Sequence, residues 1–181
     1  MKAVSLICLS SLLLLTGCAS TSQSKKLLKQ ARVVSVETQY TLKNTQGLTP
    51  AQAATQEQSR WKLVQPAVEN YESGFLSSFK SICKRATDEK DVSPLYDYAD
   101  TLRTQEREIK ALGDQNGLTV SPEVKLPGGE TMPIPDYVQH VAREAAPVIK
   151  SDTDNALQNE KGWHALSNLN WGLSMLSRGL R

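Results

Sequence analysis

The residues best suited to chemistry in this 181-residue chain are its two histidines. Each has a glutamate one helical turn away: His140 with Glu144, and Glu160 with His164. Four such ligands from two helices could hold zinc or iron inside a helical bundle. The spacing argues against it, because di-iron bundles use Glu-x-x-His plus further glutamates, whereas these pairs stand four apart. A helical wheel also sets His140 and Glu144 off the face of Val138 and Val141, toward water, where an i,i+4 surface pair accounts for them. Asp97, Asp100, Asp152 and Asp154 are the carboxylates that hydrolytic work could recruit. They stand in the first turns of expected helices, where capping and the helix dipole explain them. No GxSxG elbow, Walker loop, CxxC or HExxH occurs. The expectation is a non-catalytic protein that uses no cofactor.

Cysteine is the remaining reactive type, and its placement is more telling. The chain opens MKAVSLICLSSLLLLTGC: one charge at Lys2, then an apolar run from Ala3 to Leu15. That run falls short of the roughly 20 residues that span a bilayer. Leu15-Thr16-Gly17-Cys18 resembles the lipobox of bacterial lipoproteins. Small residues flank the scissile bond, and the Cys18 thiol is reachable for transfer of a diacylglyceryl group. The resemblance implies cleavage before Cys18, lipid on Cys18, and attachment to the membrane through that anchor. It also implies the periplasmic face of the outer membrane, because Ala19 and Ser20 follow where an Asp would signal inner-membrane retention. Two or three acyl chains, at about 0.8 kcal/mol per buried methylene, make such anchoring stable. On this reading residues 1–17 are a signal peptide, 18–24 a lipidated N-terminus with a short tether, and 25–181 one helical domain.

Charge and cysteine count narrow the rest. Without Lys2, 20 basic side chains face 19 acidic ones, a balance that excludes nucleic acid as a partner. Lys25, Lys26, Lys29 and Arg32 form the one basic run, just past the anchor, expected to be a solvated helical turn near lipid headgroups. Cys8 leaves with the signal peptide, and Cys83 stays unpaired within the mature chain. An unpaired cysteine outside the cytosol is either buried or joined to another chain, and the apolar flank on which Cys83 falls favours burial.

These residues need a scaffold, and the hydrophobic spacing supplies an all-α one. It reads as a bundle of four to five antiparallel helices with a small β-hairpin or ordered loop inserted near 118–134. In the first segment, residues 33–42 carry two periodicities at once. Leu27, Ala31, Val34, Thr38 and Thr41 recur as on a helix, while Val34, Val36, Thr38, Tyr40 and Leu42 alternate as on a strand. The helical reading is preferred. Thr49-Pro50-Ala51-Gln52 is a capping box with proline at the first helical position. Trp61, Val64, Val68, Tyr71, Phe75, Phe79 and Ile82 then fall within an arc of about 80°, with Pro66 expected to kink the helix. A third helix starts at Ser93-Pro94 and stops at Gly113, with Arg103, Glu106, Arg107, Glu108 and Lys110 on its outer face. A fourth begins at Pro135 and contains Pro147. A last one runs from about Asp152, with Leu166, Leu169, Leu173, Leu176 and Leu180 as its apolar seam.

Two surfaces could meet a partner. Trp171 and Met175 lie one turn apart and roughly 150° from the leucine seam, either buried in a central helix or exposed as an anchor. Pro127, Gly128 and Gly129 form the tip of the Gly/Pro-rich connection, where recognition commonly sits. The function expected is an accessory or interaction module of an envelope complex, of assembly, secretion or immunity type. The alternative is a ligand- or metal-binding bundle with an activity in its interior.

Overall fold

The Thr49 capping box is present in full. Thr49 Oγ1 accepts from the Gln52 amide at 3.3 Å and Gln52 Oε1 accepts from the Thr49 amide at 2.9 Å. In this computed structural model, which describes the backbone of residues 22–178 and the side chains of residues 22–161, that box opens the second of four helices. The order is α1 (Gln23–Ala31), β1 (Ser35–Leu42), α2 (Pro50–Glu89), α3 (Ser93–Gln115), β2 (Leu118–Lys125), β3 (Thr131–Pro133) and α4 (Ile134–Arg178). The protein is therefore mostly helical and carries one three-stranded antiparallel sheet in the order β1-β2-β3.

The sheet corrects the all-α expectation. The hairpin anticipated around Pro127-Gly128-Gly129 exists as β2–β3, but residues 35–42 join it as a strand rather than extending α1. Helix α1 stops at Ala31, and the next eight-residue strand alternates between exposed and half-buried positions. Ser35 to Leu42 pairs residue by residue with Lys125 to Leu118. Val36, Thr38, Tyr40 and Leu42 turn toward α2, where Tyr40 stacks flat on Trp61 with ring centroids 4.0 Å apart. A segment that can pair along its whole length wins over a helical spacing that, past Val34, offers only threonines to a core.

Pro122 sits in the central strand, a position normally closed to proline. The bond from Lys43 N to Gly117 O points the odd residues of β1 at β2, so Pro122 points its missing N–H toward β3. That strand reaches only Thr131–Pro133 and pairs with residues 123–125, so no ladder bond is lost.

Val64, Val68, Tyr71, Phe75, Phe79, Cys83 and Ala86 form the buried face of α2, while Trp61 and Ile82 are half-buried at its margin. Helix α3 packs against both α2 and α4, contributing Leu95, Ala99, Leu102 and Ile109. Both internal prolines are exposed, and the carbonyls they leave unpaired, at Lys62 and Arg143, open to water on the same outward faces. Asp91 Oδ1 caps the start of α3, accepting from Ser93 N at 3.0 Å and Ser93 Oγ at 2.9 Å.

The final correction concerns α4. The expected fourth and fifth helices are one helix of 45 residues, and Asp152 lies inside it rather than starting a new one.

Candidate functional site

A nine-residue helix has little cohesion alone, and α1 is fixed by α4 at both ends. At its N-terminus Ser22 Oγ donates to Asp152 Oδ2 at 2.5 Å, Ser24 N donates to the same oxygen at 2.9 Å, and Gln23 N reaches Oδ1 at 3.4 Å. Lys25 N donates to Ser22 Oγ at 3.3 Å, and Lys26 N makes the first regular helical bond to Ser22 O. The amides of the first three helical residues, which a helix start leaves without intrahelical partners, are thus paired. At the other end Tyr137 Oη donates to Ala31 O at 2.7 Å. Between them Leu28 is fully buried and Ser24 is 4% exposed.

The electrostatics agree with the geometry. Burial works against the charged form of Asp152, but hydrogen bonds from Ser22, Ser24 and the Gln23 amide hold its carboxyl below the usual range. Burial pushes the Tyr137 hydroxyl up to about 12. Around the clamp lies a hollow of about 410 Å³ whose wall includes Ser22, Ser24, Thr87, Lys90, Asp152 and Asn155. The outer side of α1 carries Lys25, Lys26 and Lys29, all exposed.

The clamp and the hairpin lie well apart along α4, which itself runs on past Asp152 to Arg178. Strand β3 runs directly into Ile134, so the turn at 126–130 stands beside the first residue of α4. Asp152 comes 18 residues later, about 27 Å along the helix axis. Pro127, Gly128 and Gly129 are exposed in the hairpin turn. The turn closes through Leu126 N to Glu130 O at 2.8 Å and Gly129 N to Leu126 O at 2.9 Å, with Gly129 at φ 87°. Past the clamp, α4 is exposed on every side from Asp154 to Lys161, with Leu157 51% exposed. Trp171 and Met175 lie outside the residues whose side chains are described, as do His164 and Cys18. Among the described residues, no helix is long and apolar enough to cross a membrane.

The remaining candidates separate. His140 and Glu144 are exposed together on α4, as is Glu160 further along, and no three potential metal ligands converge among the described residues. Cys83 is buried, and burial pushes its thiol up to about 11 against the pull of the neighbouring Arg32 guanidinium.

Glu106, expected on the outer face of α3, is 7% exposed. It takes its place in the stripe Leu95, Ala99, Leu102, Glu106, Ile109, Gly113, a 4,3,4,3,4 spacing visible in the sequence. Lys110 Nζ lies 2.8 Å from its Oε1, an ion pair whose angle falls outside hydrogen-bond geometry. Burial raises the nearby Tyr71 hydroxyl, and the Glu106 carboxylate adds to that. A half-open groove of about 460 Å³ between α2 and α3 is lined by Asn70, Tyr71, Gly74, Tyr98, Gln105 and Ile109, among others. Ser78 and Glu108 also line it, and no hydrogen bond joins them among the described residues.

Compared with models of protein families, with characterised proteins and with solved structures, the chain matches none.

Proposed function

We propose that the protein is an outer-membrane lipoprotein of the periplasmic face, anchored through Cys18, that serves an envelope complex as a non-catalytic interaction module. Its scaffold on this reading is a four-helix antiparallel bundle with the sheet on one side. The observation that carries it is the clamp of Ser22 to Asp152. Cys18 is four residues from Ser22, which at full extension allows about 14 Å. A lipid on Cys18 would therefore hold the clamp near the bilayer. The hairpin tip at Pro127, Gly128 and Gly129 would then stand well apart from it, offered to a partner protein.

The test is a photo-crosslinking residue at Gly128 in the full chain, in its native envelope. One discrete adduct that disappears in the Cys18→Ser variant, with folding retained, supports the reading. Equal adducts with and without Cys18 would show that anchoring is not part of the activity, and absence of any adduct would remove the hairpin tip as the partner surface. A Trp171→Ala variant in the same assay reports on the second expected surface.

A further inference from the structure

Lys25, Lys26 and Lys29 lie within an arc of about 100° on α1, on the side away from buried Ser24 and Leu28. All three are exposed, and none enters an ion pair among the described residues. Some other cations are matched, Lys84 with Asp88, Arg85 with Glu89, Arg103 with Asp100 and Asp136, while Lys62, Lys80, Arg107 and Arg143 are exposed singly on other helix faces. Lys90 and Lys150, at the same end, line a hollow together with Asp91 and Asp154. What sets the outer face of α1 apart is that three exposed lysines gather there within a single arc.

That face is fixed in direction. Asp152 and Tyr137 hold α1 at both ends, so the lysines cannot swing away from the point where the chain enters the body. We infer that the Lys25/Lys26/Lys29 face docks on anionic phospholipid headgroups and sets the orientation of the domain on the membrane. This rests on lipidation of Cys18, which would bring α1 within about 14 Å of the bilayer, close to the range over which an anionic surface attracts lysine. A near-neutral chain gains no long-range steering from three lysines, but a tether that already holds them at the surface makes steering unnecessary.

The experiment uses the lipidated mature protein in phosphatidylethanolamine/phosphatidylglycerol vesicles and in phosphatidylcholine vesicles. Amine acylation is read residue by residue by mass spectrometry. Lys25, Lys26 and Lys29 should react at least fivefold more slowly on the anionic vesicles, with Lys62 and Lys80 unchanged. Equal rates on both vesicles overturn the inference. Mass spectrometry of the same sample reports acyl chains on Cys18, so a missing lipid, which sinks the anchoring proposal, is seen separately. In that case the unlipidated chain is sedimented with the same vesicles. The Lys25→Gln/Lys26→Gln/Lys29→Gln variant should lose about a hundredfold in partitioning, at roughly 1 kcal/mol per lysine. Unchanged partitioning by that variant, with an unchanged circular dichroism spectrum, also overturns the inference.

Discussion

The carboxylate of Asp152 caps a helix to which it does not belong. Ser22, 130 residues earlier in the chain, donates its hydroxyl to Oδ2 at 2.5 Å, and the amide of Ser24 donates to the same oxygen. Capping chemistry is therefore the right account of Asp152, applied to α1 rather than to the helix that contains it. The consequence is mechanical: the segment that leads to Cys18 is pinned to the middle of α4.

Replacing Asp152 by Asn should cost about 1 kcal/mol, within the range for losing a helix cap. The pH dependence has a definite sign. The folded-state carboxyl lies below its ordinary value of 3.8, so its contribution is fully present above that pH and is lost as pH falls below it. Urea unfolding of both proteins at pH 7 and pH 3 should show a gap that shrinks in acid. A gap of equal size at both pH values would show that the charge is not what matters.

Tyr137→Phe removes the bond to Ala31 O while keeping the ring, which meets Phe79 edge-on at 5.9 Å. A loss of about 0.5–1.5 kcal/mol is expected. Hydrogen exchange should localise it, with faster exchange in α1 and no change in α3.

Gly113 is a packing requirement of the helix–sheet contact. A Cβ there would meet Val120 Cγ2 at 2.7 Å and Leu118 O at 3.2 Å, so Gly113→Ala should destabilise by about 1–3 kcal/mol. Gly128→Ala, with nothing within 4 Å of the added carbon, is the control and should change stability by less than about 0.5 kcal/mol.

Cys83 should resist thiol reagents in the folded protein. Burial raises its thiol to about 11 and removes it from solvent, so little thiolate exists at pH 8. Labelling should accelerate only as urea unfolds the chain. Rapid labelling without denaturant would contradict the burial.

The sequence made some of this legible and hid the rest for physical reasons. The Thr49–Gln52 box, the α2 stripe and the hairpin at 127–129 are local signals, complete within a few turns of chain. Strand β1 was hidden because Val36, Thr38, Tyr40 and Leu42 declare a strand only when β2 is there to pair with them. The continuity of α4 was hidden because SDTDN offers caps that the helix does not use. Glu106 could have been placed correctly, since its spacing puts it squarely in the α3 stripe, but residue type outweighed position. The clamp itself depends on two residues 130 positions apart in the chain, and nothing local announces it.

The most direct test of the account is energy transfer from dyes at two positions of the lipidated protein to acceptor lipids in a vesicle. Dyes are placed at Lys29→Cys and Gly128→Cys, with buried Cys83 left in place. Strong transfer from position 29 and weak transfer from position 128, with the gap between them narrowing on Asp152→Ala, is the predicted result. Equal transfer from both positions in the otherwise unaltered protein would contradict the claim that the clamp holds α1 at the membrane and the hairpin tip away from it.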